Sequence, residues 1–150
     1  MSKEGSTYIT LTDEPLDVTA ALSTVRSYDC GAISIFLGST RADLVDGREV
    51  AALKYEAYED MALKITRTLC DEVRKLFPVK HIFVAHRLGI VKVKEDSILI
   101  ISAGGHRDES MKATEWLINE IKAKVPVWKK EIFADGNEVW KENKETFWRK

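Results

Sequence analysis

The sequence predicts a single α+β domain spanning residues 1–150, and three observations support this class. Predicted strands occur in clusters separated by three predicted helices, instead of the regular strand–helix alternation of a parallel α/β sheet. A chain of 150 residues is long enough to bury one hydrophobic core. The hydrophobic fraction of 45% and the charged fraction of 31% are ordinary for a globular protein.

The first part of the chain carries two strand signals and one helix signal. Alternating residues predict a strand over 8–11, and apolar residues at helical spacing predict a helix over 18–25 that stops by Gly31. A continuous apolar run over 32–37 predicts a buried strand. The Asp46-Gly47 pair is a hairpin-turn signal, so a returning strand is expected from Val50 to Tyr58.

A longer helix and three strands are predicted in the middle of the chain. Apolar residues recur at helical spacing from Tyr58 to Leu76, and Pro78 closes this second helix. Apolar or alternating segments then predict strands over residues 81–86, 90–93 and 97–103.

The last part of the chain predicts a third helix over 108–124, which ends before Pro126. The apolar stripe of this helix consists of Met111, Leu117, Ile118, Ile121 and Val125. A strand over 128–133, a turn at Asp135-Gly136-Asn137 and a final strand from Val139 complete the prediction.

Charge, hydropathy and cysteine usage narrow the classes of function. A net charge of -1 does not favour a nucleic-acid binder, and no apolar run approaches the ~18 residues that span a bilayer. The N-terminus lacks the apolar stretch of a signal peptide. Cys30 and Cys70 form no paired spacing, so we expect free thiols in the cytosol, with neither disulfides nor a bound metal.

Two candidate sites follow predicted strands. Gly38-Ser39-Thr40-Arg41 offers two hydroxyl groups and a guanidinium suited to phosphate, although the segment taken alone is explained better by a turn with a solvated arginine. Gly104-Gly105-His106-Arg107 precedes a helix, where backbone amides favour anions, and its plain alternative is a glycine-relaxed loop with a polar cap.

Two further candidates lie at the end of the third helix and just beyond it. Lys122 is on the border between the apolar stripe and solvent, where it could be a partly desolvated catalytic amine or a lysine that only extends into solvent. In the strand after Pro126, Lys129 and Glu131 share one face and Lys130 takes the other. The alternative is an edge strand whose lysines prevent pairing with another chain.

A second His-Arg pair, His86-Arg87, competes with His106-Arg107. We favour His106-Arg107 as site residues, because they follow two glycines and precede a helix.

Taken together, these segments resemble the large subunit of molybdopterin synthase over about residues 8–142. The matching stretches are GAISIFLGSTR at 31–41, LKYEAY at 53–58, HRLG at 86–89, GGHRDES at 104–110 and IKAKVPVWKKE at 121–131. The resemblance implies an α/β-hammerhead-like fold with an additional small β-rich subdomain.

The resemblance also implies an activity and its partners. The family is a sulfurtransferase of molybdenum cofactor biosynthesis that converts cyclic pyranopterin monophosphate (precursor Z) into the dithiolene molybdopterin. Sulfur comes from the thiocarboxylated C-terminus of a small ubiquitin-like subunit, so no cofactor is expected. Two large subunits form a homodimer within a heterotetramer.

By position, the resemblance assigns catalysis to Lys122 and Lys129. The implied substrate-binding residues are Ser39, Thr40, Arg41, His106, Arg107, Lys122, Lys129, Lys130 and Glu131. At position 40 the family often has a small aliphatic residue instead of threonine, a difference that concerns packing more than chemistry.

Two other classes of function remain as alternatives. A small α+β domain that binds a phosphorylated metabolite without chemistry would use Arg41 and Arg107 but make no demand on Lys122. A nucleic-acid module would need a basic stripe with interleaved aromatic residues, which the near-neutral charge does not favour.

Overall fold

The computed structural model describes residues 5–141, so the ends of the predicted domain at 1–4 and 142–150 lie outside the described residues. The three helices are α1 (Val18–Val25), α2 (Glu59–Leu76) and α3 (Arg107–Lys124). The strands are β1 (Thr7–Thr12), β2 (Ala32–Ser39), β3 (Leu44–Val45), β4 (Arg48–Ala57), β5 (Val79–Arg87), β6 (Gly89–Lys92), β7 (Asp96–Gly104), β8 (Val127–Phe133) and β9 (Glu138–Lys141). The mixed α+β class predicted from the sequence is confirmed.

The main sheet has four strands in the order β1-β5-β7-β2, with helices on both faces. Residues of the central strand β7 alternate between the two faces: Ile98 and Ile100 pack against α2 and α3, whereas Leu99 and Ile101 pack against α1. A strand covered on both sides needs apolar residues at every position, which explains the continuous apolar run in β7.

A second, β-rich unit contains a sheet with the strand order β3-β4-β8-β9. Strand β6 also pairs with β4. Its own small core includes Val50, Val91 and Phe133. The hairpin from β3 to β4 turns at Asp46 and Gly47, whose φ angles of 51° and 75° are the left-handed values that the predicted turn requires. This unit agrees with the expected β-rich subdomain.

The strand β2 differs from its prediction. Its apolar run favoured a buried strand, but β2 is the edge of the main sheet, with Ile35 41% and Leu37 39% exposed. An apolar run shows only that both faces of a strand are apolar, and the position in the sheet depends on long-range pairing.

Helix α1 covers the predicted residues 18–25, and because it already ends at Val25, Gly31 is not its stop. The apolar stripe of α3 departs from the prediction. Met111 is exposed, and the stripe of α3 turned towards the core instead begins with Ser110, Ala113 and Thr114 before it reaches Leu117. Among residues 5–141, no helix combines the length and apolar character needed to cross a membrane.

Candidate active site

A pocket between the two units brings together the two lysines that the sequence singled out. Lys122 lies in the last turn of α3, and Lys129 lies in β8. The chain turns at Pro126 between them, because proline cannot continue the helix. Both lysines line two adjoining cavities, one beside His86 and one beside Arg41, which together form the pocket. Two motifs that are weak when taken separately therefore form one constellation.

The pocket is cationic. Four basic side chains, from Arg41, Lys122, Lys129 and Lys141, line it against two acidic ones, from Asp43 and Glu131. A concave site with excess positive charge raises the local concentration of anions. Lys141 was not singled out in the sequence, because nothing in β9 distinguishes it from other exposed lysines.

Lys129 contacts the aromatic wall of the pocket. Tyr55 of β4 is opposite Lys129 in the ladder between β4 and β8. The Lys129 Nζ atom is 5.7 Å from the centroid of the Tyr55 ring. Burial raises the pKa of the Tyr55 hydroxyl above its ordinary value, so this side chain is an uncharged part of the wall.

His86 lies on the other side of Tyr55. Their ring centroids are 5.0 Å apart in an edge-to-face arrangement, and His86 lines the pocket together with both lysines. Burial, followed by the positive charges of Lys129 and Lys122, lowers the pKa of His86 to about 4, against a backbone hydrogen bond at Arg87 that acts to raise it. The imidazole is therefore neutral at physiological pH.

The alternation predicted for β8 is observed. Glu131 is only 6% exposed and lines the pocket on the same face as Lys129. Its carboxylate is 3.8 Å from the Lys141 Nζ atom. Lys130 points to the opposite face, where its Nζ atom is 4.2 Å from the centroid of the Trp140 ring. Lys130 thus lies outside the lysine pocket of its own chain.

The segment after β2 forms another wall of the pocket. Ser39 and Arg41 line it, and Arg41 also makes an exposed ion pair with Asp43 at 3.4 Å. Thr40 is only 4% exposed, and its backbone is hydrogen-bonded to Glu95 and Lys94. Thr40 therefore packs behind this wall, whereas the resemblance implies that it binds substrate.

His106 and Arg107 are distant from the lysine pair within one chain. They lie at the start of α3, where the Glu109 carboxylate accepts a hydrogen bond from the His106 backbone N–H at 2.9 Å. Arg107 and Lys122 are fifteen residues apart on this helix, or about 22 Å along its axis. The two residues line a separate surface depression. Of the two His-Arg pairs, the less favoured one supplies the histidine of the lysine pocket.

The cysteine thiols are not part of the pocket. Cys70 is fully buried in α2, and burial raises the pKa of its thiol to about 12. Cys30 is partly exposed, and burial followed by the charge of Asp29 raises the pKa of its thiol. Among residues 5–141, no cluster of three or more His, Cys, Asp or Glu side chains is arranged to hold a metal ion.

Fold and pocket together define an α+β protein with a cationic pocket that contains a pair of lysines. Comparison with known proteins gives the family. Residues 11–124 match the family described as MoaE protein. The molybdopterin synthase catalytic subunit of Culex quinquefasciatus is 47% identical over 149 residues, which cover 97% of this chain and 94% of that protein. The chain therefore belongs to the MoaE family, the catalytic subunits of molybdopterin synthase.

Solved structures agree with this assignment. Molybdopterin synthase from Staphylococcus aureus superimposes with a TM-score of 0.82 at 30% identity, covering 88% of this chain and 95% of that one. A complex of subunits 1 and 2 of the molybdopterin-converting factor from Helicobacter pylori has the same fold, with a TM-score of 0.74 at 22% identity over 93% of this chain and 92% of that one. The family and the sulfurtransferase class predicted from the sequence are confirmed.

Proposed function

We propose that the lysine pocket transfers sulfur from the thiocarboxylated C-terminus of a small ubiquitin-like subunit to cyclic pyranopterin monophosphate, giving the dithiolene of molybdopterin. One observation carries the proposal: Lys122 and Lys129, from different elements, line one pocket together with Arg41. The donor is a thiocarboxylate anion and the acceptor carries a phosphate. Like-charged reactants approach each other only where the protein supplies compensating positive charge.

The two lysines take separate parts in this chemistry. Attack of the thiocarboxylate sulfur on a carbon of the pterin side chain forms a C–S bond and breaks a C–O bond of the cyclic phosphate, whose oxygen leaves with the phosphate. Water then cleaves the resulting thioester, which leaves the sulfur on the pterin and releases the small subunit with an ordinary carboxylate, and a second donor supplies the second sulfur. Activation of this water and release of the thiol require proton transfer. Lys122, at the end of α3, is assigned this proton transfer. Lys129, held against the Tyr55 ring, is assigned to the phosphate or to the oxyanion that develops. Ser39, Arg41 and Glu131 are assigned to substrate binding.

The small subunit is expected to approach along β2. This strand is a sheet edge, and its exposed Leu37 also lines the lysine pocket. An edge strand offers unpaired backbone groups and, here, apolar side chains to an extended peptide. The Helicobacter pylori structure, a complex of two subunits with this fold in one of them, supports a partner of this kind.

A second copy of the chain is proposed to complete the site. His106 and Arg107 are separated from Lys122 by most of the length of α3, about 22 Å. In a two-fold dimer the start of one α3 can face the pocket of the partner, so that both cationic groups act on one substrate. Thr40 and Lys130 remain predicted substrate-binding residues, with indirect roles through packing or through the partner.

The proposal requires no resident cofactor, because the sulfur arrives on the partner subunit. It places the reaction in the cytosol, which the free thiols of Cys30 and Cys70 support.

The direct test is reconstitution from three purified components. The chain, precursor Z and a thiocarboxylated small subunit are mixed, and molybdopterin is measured after oxidation to a fluorescent derivative. Product is expected only when all three are present, and a small subunit ending in an ordinary carboxylate should give none. Binding of the thiocarboxylated subunit without product would overturn the proposal and favour a binding protein without chemistry.

A further inference from the structure

The end of β5 places His86 in the wall of the pocket, and the chemistry assigned above does not use this histidine. We propose that His86 is a positioning residue, whose neutral imidazole accepts a hydrogen bond at Nε2 from the Lys129 ammonium and orients it in the pocket. The proposal deepens the proposed function and rests on it.

The hydrogen bond of His86 fixes its tautomer. Its Nδ1 atom is 2.9 Å from the backbone oxygen of Arg87. A carbonyl oxygen only accepts hydrogen bonds, so Nδ1 must carry the hydrogen. A neutral imidazole has one N–H, which leaves Nε2 with a lone pair.

The surroundings of His86 keep it neutral. Lys122 faces it from α3, Lys129 from β8 and Tyr55 from β4. Burial and the two ammonium groups disfavour a positive charge on His86. The neutral imidazole can therefore accept a hydrogen bond from one of these ammonium groups. The adjacent Arg87 is engaged with Glu95 in an ion pair of 3.5 Å.

Tyr55 links His86 to Lys129. The imidazole packs edge-to-face on the Tyr55 ring with centroids 5.0 Å apart, and the Lys129 Nζ atom is 5.7 Å from the same ring. The Arg87 carbonyl and the Tyr55 ring together hold the imidazole in one plane. A side chain locked in this way can hold a flexible lysine in a defined direction.

A neutral acceptor suits the chemistry of the pocket. A lysine ammonium has three donors on a flexible stem, so its direction depends on the acceptors around it. Glu131 is the acidic residue on the same face of β8, and its carboxylate lies 3.8 Å from the Lys141 Nζ atom. His86 is an uncharged acceptor, so it can direct the ammonium without neutralising the charge that the anionic substrates require.

Three substitutions separate this role from a structural one. His86→Gln can offer an acceptor near the Nε2 position, His86→Asn can keep a donor to the Arg87 carbonyl, and His86→Phe keeps only the ring. His81→Gln is the control, because His81 lies on the same strand but accepts from the Ser6 N–H, at 3.2 Å, outside the pocket. The readouts are kcat, KM for precursor Z and the unfolding midpoint.

The expected order is specific. His86→Gln and His81→Gln should keep kcat within about threefold of wild type, whereas His86→Asn and His86→Phe should lose about 10- to 100-fold in kcat with little change in KM. The reverse order, with Asn active and Gln inactive, would overturn the proposal and leave a purely structural bond to Arg87. Full activity in all three variants would overturn it as well.

A measurement without turnover separates this inference from the proposed function. Long-range ¹H–¹⁵N NMR of the histidines should show His86 protonated at Nδ1, with an Nε2 shift that changes in Lys129→Ala and does not change in Lys124→Ala. An Nε2–H tautomer, or an Nε2 shift that does not respond to Lys129→Ala, would overturn the inference. An unproductive wild-type reconstitution with the expected NMR result would instead count against the proposed function.

Discussion

At the scale of single residues, the site works by controlling which groups carry charge. Lys122, Lys129 and Arg41 supply positive charge to the pocket, while His86 and Tyr55 remain neutral within it. Burial penalises the charged form of both groups, so it lowers the pKa of His86 and raises the pKa of Tyr55 further above its ordinary value. The positive charge of the pocket therefore does not come from His86.

The neutral His86 predicts how stability depends on pH. Its pKa is about 4 in the folded protein and near 6.5 as the ordinary value, so the unfolded chain binds the proton first as the pH falls. The stabilisation is complete above pH ~6.5 and is lost between pH ~6.5 and ~4, amounting to roughly 2–3 kcal/mol of the free energy of unfolding. Denaturant titrations of wild type and His86→Gln across this range measure it.

The difference between the two proteins isolates the contribution of His86, because His81 and the carboxylates titrate in both. Wild type should lose more stability than His86→Gln as the pH falls from 7 to 4. Parallel curves of the free energy of unfolding against pH would mean that His86 titrates near its ordinary pKa. That result would contradict a neutral imidazole in the pocket.

At the scale of elements, α2 is tied to the start of β1 and β5 through one side chain. The Arg74 Nη2 atom donates to the backbone oxygens of Ser6, at 2.7 Å, and Lys80, at 3.0 Å. Arg74 also contacts the Thr7 hydroxyl. The arginine therefore donates to the Lys80 backbone oxygen and adds a second donor to the Ser6 backbone oxygen, which also accepts from the Ile82 N–H at 3.0 Å.

Replacing Arg74 by methionine should destabilise the protein by about 2–4 kcal/mol, because the Lys80 and Ser6 carbonyl oxygens lose a charged donor while the apolar stem is kept. Thermal or chemical unfolding measures the loss. Arg67→Met is the matched control, since Arg67 lies exposed on the same helix, and it should change stability by less than about 0.5 kcal/mol. Equal losses of stability in Arg74→Met and Arg67→Met would show that the hydrogen bonds of Arg74 do not stabilise the contact of α2 with β1 and β5.

The elements also show how much the sequence can predict. The spacing of apolar residues and the residue types of a turn depend only on neighbouring positions. The three described helices and the opposite faces of Lys129 and Lys130 can therefore be predicted from the sequence. The edge position of β2 and the choice between His86 and His106 do not. They depend on which strands pair, and only the register of Tyr55 opposite Lys129 brings His86 into the lysine pocket.

At the scale of the whole molecule, the separation of the two cationic groups predicts complementation between subunits. Lys122→Ala and Arg107→Ala should each be inactive as homodimers. After the two variants are mixed and allowed to exchange, a mixed dimer has one doubly altered site and one intact site. About a quarter of all sites should then regain activity if exchange is random and each site draws on both copies.

The control for this mixture pairs Lys122→Ala with Lys129→Ala. Both changes alter the same chain's half of the site, so no mixed dimer contains an intact one, and activity should remain absent. Recovery in the control, or its absence in the test mixture after confirmed exchange, would contradict a site shared across the dimer.

The central claim is that the two lysines perform the sulfur transfer. The most direct measurement is single-turnover formation of molybdopterin by Lys122→Ala and Lys129→Ala, with binding of the small subunit measured in parallel. Lys124→Ala is the control, because this lysine pairs with Glu120 at 3.1 Å and does not line the pocket. We predict a loss of at least about 100-fold for each of the first two variants, with binding retained and the control unaffected. Transfer within about threefold of wild type in both variants would contradict the claim.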